Sequence, residues 1–180
     1  MNLTDTHCHL YWHKFDEDRD AMIQRAIKSG VTKMLVPGTT LETSQQAIEL
    51  AEKYEQVYAA VGVHPTDAET FSEKITDALF KLAEHEKVVA IGEIGLDYYW
   101  VKESEKQKAQ KRILNSQVQM AEALNKPLVI HLRESNDAVQ GPVFDDFFEL
   151  IAPWLEKWLH QDHALGAKPG VLHSFNGEQT

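Results

Sequence analysis

Residues 3–10 read LTDTHCHL, a short apolar run that carries an aspartate and two histidines one residue apart. Side chains alternate across a strand. A strand here sends Asp5, His7 and His9 to one face and Thr4, Thr6 and Cys8 to the other. Unpaired ionisable groups are costly to bury, so the fold turns on what meets the histidine face. On its own, the His-x-His pair fits two readings: chelation of a cation by neutral imidazoles, or a satisfied core or surface pair.

Working outward, five further runs have the composition of buried strands: VTKMLVPG, VYAAVGVH, VVAIGEIG, PLVIHLR and GVLHSF. Between them, apolar residues recur at helical spacing, as in Met22, Ile23, Ala26 and Ile27, or Ala47, Ile48, Ala51 and Tyr54. A third stripe runs through Ile113, Ala121 and Leu124, with Gln117 as a polar interruption. Thr39 with Glu42, and Thr70 with Glu73, have capping-box spacing at two helix starts. Gly30 stands where a helix-ending glycine belongs.

Strand and helix in alternation make a parallel α/β sheet. A doubly wound sheet and a barrel share that order, and the polar residues separate them. His7 and His9, His64, Glu93, His131 and His173 fall at or near the C-terminal ends of strands one, three, four, five and six. A barrel gathers its strand ends at one mouth, whereas an open sheet spreads them along an edge. The expected fold is a TIM-type (β/α) barrel with about six of its eight βα units present, in a single, C-terminally incomplete domain over residues 1–180.

Composition sets the outer limits. A net charge of −10 argues against a broad basic groove for duplex nucleic acid, but not against a site where bound cations supply the positive charge. One cysteine leaves no internal disulfide framework and fits a reducing compartment. No stretch reaches the roughly 20 apolar residues needed to span a bilayer. The expectation is a soluble cytoplasmic protein with no membrane association and no obligate protein partner.

Glu93 follows an apolar run and is flanked by Gly92 and Gly95, a poor structural position for an unpaired acid. His131 and His173 each end an apolar run as well. Three such histidine sites with a matching glutamate favour a metal centre over packing. Phe144, Phe147, Phe148, Ile151, Trp154 and Trp158, in the long stretch after His131, read instead as the packing face of an extended helix.

Together, DTHCHL, GVHP, GEIGLDYY, PLVIHLRE and GVLHSFNG resemble the TatD family of metal-dependent deoxyribonucleases, in the amidohydrolase superfamily of TIM barrels. The resemblance implies two divalent ions, magnesium, zinc or manganese. It implies His7 and His9 on one ion, His131 and His173 on the other, Glu93 bridging both, and His64 beside them on phosphate or water. Glu93 and His64 would then carry the chemistry: hydrolysis of DNA, as single strands or ends, by a water that the two metals activate. The family has a further aspartate ligand in a T-D-S-like motif, which no stretch up to Thr180 supplies. Tyr98, Tyr99 and Trp100 either stack on bases or cover the barrel top, and Arg133 either reaches a phosphate or pairs with an acid. Two rival readings stay open: another hydrolase of the superfamily acting on a small amide, lactone or phosphoester, or a truncated barrel that binds metal without turnover.

Overall fold

Strands and helices alternate from the first residues onward in the computed structural model, which describes residues 2–161 and 163–177. The strands are β1 (Leu3–Asp5), β2 (Val31–Pro37), β3 (Val57–Val61), β4 (Val88–Asp97), β5 (Leu128–Arg133) and β6 (Gly170–His173). The helices are α1 (Arg19–Lys28), α2 (Leu41–Lys53), α3 (Glu73–Ala83), α4 (Ser104–Leu124), α5 (Pro142–His160) and the short α6 (Ala164–Ala167). All pairings are parallel, and the strand order among the described residues is β1-β2-β3-β4-β5-β6.

Curvature is what separates a barrel from a doubly wound sheet. With strands about 4.8 Å apart, the outer members of a flat six-stranded sheet would lie roughly 24 Å from each other. Instead the rings of His7, just past β1, and His173, at the end of β6, stack with centroids 3.4 Å apart. The sheet is curled into half of a barrel, and its strand C-termini converge on one mouth.

The two faces of the sheet bury different side chains. Met34, Val36, Ile91, Ile94, Leu96, Ile130 and Leu132 join the helices in the main core, while Ala60, Ala90 and Val129 form a small separate cluster with Leu35. In β4 the alternation breaks at a register shift between Ile91 and Ile94, which leaves both isoleucines in the main core. Such irregularities re-aim side chains next to active sites. Beyond the shift, Glu93, Gly95 and Asp97 share the opposite face. Gly95 pairs with His131 at φ +146°, and a Cβ there would lie 1.9 Å from the His131 carbonyl oxygen, so only glycine lets the two strands approach.

Local details depart from the sequence reading in three places. The strand expected through Leu10 ends at Asp5, whose carboxylate accepts the His7 backbone N–H at 3.1 Å and draws the chain out of the ladder. Helix α2 is capped by Thr40 and Thr43, each accepting the other's backbone N–H, rather than by Thr39 and Glu42. Ser72, not Thr70, caps α3, because the Thr70 hydroxyl is spent on the Asp67 carbonyl in the preceding turn. Gly30 does follow α1, at φ +99°, with its N–H donating to Ile27. The long α5 buries Phe144, Phe147, Ile151 and Trp158, and Trp158 donates to Glu122 of α4, so this segment packs as expected. No helix among the described residues is long and apolar enough to cross a membrane.

Candidate metal centre

Glu93, 3% exposed, is the hub of the mouth. Its Oε2 lies 3.1 Å from His7 Nε2 and 3.4 Å from His9 Nε2, and its Oε1 lies 3.1 Å from His131 Nδ1 and 3.8 Å from His64 Nε2. Two groups of donor atoms result, His7–His9–Glu93 and His64–Glu93–His131, each within 4.8 Å. Burial alone would raise the Glu93 carboxyl. The surrounding histidines, His131 first, then His7 and His9, together outweigh it and hold the group well below the usual carboxylate range.

Hydrogen-bond partners fix where the imidazole protons sit. His9 Nδ1 is 3.2 Å from the Pro37 carbonyl, which can only accept, and 2.9 Å from the Tyr11 hydroxyl, which itself donates to Pro37. The proton is therefore on Nδ1, and Nε2 turns a lone pair toward Glu93. His7 Nε2 is 3.1 Å from both His9 Nε2 and Glu93 Oε2, so three atoms able to face one cation meet at one point. Neutral imidazole nitrogens and a carboxylate oxygen converging this way are the ligands a divalent cation takes. The donor set fits a metal ion. His7 Nδ1 is buried without a hydrogen-bond partner among the described residues.

The other group is built differently. His64 Nδ1 accepts the Thr66 backbone N–H at 3.2 Å, which leaves the ring proton on Nε2, the nitrogen facing Glu93. Burial, followed by the neighbouring His131, lowers His64 to about 4, so near neutral pH it is an uncharged hydrogen-bond donor. His131 sits between two carboxylates, with Nδ1 to Glu93 and Nε2 to Asp97 Oδ2 at 2.9 Å. Burial alone would lower it; Asp97 and Glu93 outweigh burial and push it up to about 9.

His7, His9, His64, Glu93 and His131 thus meet as the sequence suggested. His173 comes to the same mouth but not to the place the resemblance implies. Its ring lies on His7, its Nε2 is 3.2 Å from the Ser174 hydroxyl, and His64 stands beside Glu93 and His131 instead. Tyr98 is no base platform: it is 3% exposed, with its hydroxyl donating to Asp146 at 2.5 Å inside the core. Arg133 pairs with an acid, Asp137, at 2.7 Å and lies over the Tyr99 ring, 3.9 Å from its centroid.

Asp97, Gln110 and Gln117 do not stand out in the sequence as site residues. Asp97, 1% exposed, is the last residue of β4. A signal for it exists, since residues four apart on a strand share a face, and Asp97 lies four after Glu93. Gln110 accepts the Asp97 N–H at 3.0 Å and donates to the Pro65 carbonyl at 3.1 Å. Gln117 accepts the Val63 N–H at 2.7 Å and donates to the Val63 carbonyl at 3.1 Å. Seven residues apart, both glutamines lie on one face of α4 and tie the ends of β3 and β4 to the helix beneath.

A parallel half-barrel with histidines and a buried glutamate at its mouth defines an α/β barrel whose strand ends carry donor groups able to hold a metal ion. The chain belongs to the TatD related DNase family, which it matches over residues 4–180. It is 39% identical over 175 residues to the metal-dependent hydrolase YabD of Bacillus subtilis (strain 168), covering 97% of this chain and 61% of that protein. It is 35% identical over 167 residues to the 3'-5' ssDNA/RNA exonuclease TatD of Salmonella typhimurium, covering 92% of this chain and 56% of the relative. The crystal structure of the TatD homolog YJJV from Escherichia coli K12 superposes with a TM-score of 0.76 at 32% identity, over 98% of this chain and 61% of that one. The chain therefore spans about three-fifths of the length of the relatives it matches.

Proposed function

We propose that the mouth of the half-barrel is the centre of a metal-dependent nuclease that hydrolyses phosphodiester bonds of single-stranded DNA or DNA ends. The observation that carries the reading is the crowding of His7 Nε2, His9 Nε2 and Glu93 Oε2 within 3.4 Å of one another. In this reading His7, His9 and Glu93 hold one divalent ion, and Glu93 and His131 hold a second through Oε1 and Nδ1, while His173 lies against His7 at the same mouth. Imidazole-rich donors suit zinc, and the shared carboxylate also admits manganese or magnesium. Bound there, the ions would supply an activated water and neutralise charge on the phosphate.

The chain's own residues do the rest. Glu93 stays ionised across the working pH range and serves both groups. His64 presents an N–H to a phosphate oxygen or to the attacking water, without bringing a charge of its own. Asp97 accepts the His131 Nε2–H and so aims Nδ1 at Glu93, the carboxylate–histidine arrangement that orients metal ligands. The test is cleavage of an end-labelled single-stranded oligonucleotide with manganese, with and without chelator, by the wild type and by Glu93→Gln. Cleavage that chelation and the substitution both abolish is expected; undiminished cleavage in either arm sinks the reading.

A further inference from the structure

Two exposed aromatic rings stand at the rim of the mouth, outside both the core and the histidine cluster. Trp12 is 42% exposed, and its indole lies flat against the His9 imidazole, with centroids 4.8 Å and planes 10° apart. Lys14 places its ammonium 4.2 Å from the centroid of that indole. Past β4, Tyr99 lies under Arg133, next to Trp100, which is 67% exposed. A single exposed apolar side chain needs no explanation. An indole lying on an imidazole of the site, with a cation beside it on a chain of net charge −10, does.

The two rims are not equivalent. Arg133 is already committed to Asp137 through bonds of 2.7 and 3.3 Å. Lys14 has no carboxylate partner among the described residues and is held only by ring contacts with Trp12 and Phe15. A cation held by aromatic faces alone can move to an incoming anion at small cost, because such contacts are weak where water reaches them.

We propose that Trp12 and Lys14 form a nucleotide subsite beside the metal centre. The indole stacks the base next to the scissile phosphate, and the ammonium leaves the ring to pair with the adjoining phosphate. This inference rests on the phosphodiester reading above and narrows it: the nucleotide held here must have an unstacked base. Every base offers a π-face, so the subsite selects single strands without selecting sequence.

The experiment measures binding of fluorescent oligothymidylate to the manganese-loaded protein, beside an otherwise identical strand with an abasic unit at each position in turn. Trp12→Ala should weaken the intact strand about tenfold, and one abasic position should remove that difference. Trp12→Phe should restore most of the loss, and metal affinity should be the same in all three proteins. Lys14→Ala should weaken binding at low salt and reduce the slope of log affinity against log salt by about one charge. If Trp12→Ala weakens every abasic strand as much as the intact one, or lowers manganese affinity in step with strand affinity, the ring merely props His9 and the subsite does not exist. Unchanged strand affinity in Trp12→Ala, with wild-type cleavage intact, overturns the subsite and leaves the nuclease reading standing. A wild type that neither binds nor cleaves the strand removes both.

Discussion

The two sides of Glu93 solve the placement of imidazole protons by different means. On the β1 side, His9 gives its Nδ1 proton to a backbone carbonyl and a tyrosine, which turns its Nε2 lone pair toward His7 and Glu93. On the β4–β5 side, His131 is clasped between two carboxylates and is pushed up to about 9, while His64 is held neutral with its proton pointing inward. The first side turns the His9 lone pair and a carboxylate toward the place a positive charge would fill. The second supplies that charge from His131 itself. A cation should therefore enter the His7–His9 side more readily than the other side, where it must first displace a proton from His131.

The most severe way to break this comparison is to remove what the sides share. Glu93→Gln replaces a carboxylate by an amide whose nitrogen cannot accept a metal. It should release at least one ion and abolish chelator-sensitive hydrolysis, with the circular-dichroism spectrum retained. Metal analysis showing two ions still bound to this variant would show that Glu93 is not the bridge.

Asp97→Asn acts on one side only. Loss of an outer-shell carboxylate costs about 10- to 100-fold in metal affinity, and here the loss should fall on the weaker of two binding events in a calorimetric titration. Equal weakening of both events would mean that the two groups are not separate. Gln117→Leu should leave both affinities nearly intact but destabilise the fold by about 1–3 kcal/mol, since the Val63 N–H and C=O lose their partner in a buried place. Urea unfolding gives that number, and a change below a few tenths would mean that the backbone finds other partners. Smallest of all is Tyr11→Phe. The Pro37 carbonyl still accepts the His9 Nδ1 proton, so metal affinity on the β1 side should fall only a few-fold. A loss as large as that of Asp97→Asn would show that the hydroxyl, not the carbonyl, sets the tautomer.

Much of this site is legible in the sequence alone. The alternation of apolar runs and helical stripes gave a parallel sheet, because strand and helix periods are local properties of the chain. Polar residues at the ends of those runs gave a mouth and its histidines, because burial makes an unpaired His or Glu costly wherever it has no purpose. The net charge of −10 argued against a broad basic groove and left room for a site whose positive charge is bound.

The remainder depends on distances between residues far apart in the chain. Strict alternation would have put Glu93 on the same face as Ile91; the irregularity in β4 turns it inward, and only pairing with β5 reveals that shift. Curvature of the sheet brings His173 onto His7. Tyr98 and Tyr99 are neighbours with identical side chains, yet one is buried against Asp146 and the other lies under Arg133 at the rim. The two glutamines on the apolar face of α4 look like defects in the sequence, and only the backbone groups waiting at Val63, Pro65 and Asp97 explain them. Sequence by itself determined which residues had chemistry to offer and at which end of the sheet. The tertiary structure decided which of them meet, because hydrogen bonds and stacking are fixed by approach in space rather than by order along the chain.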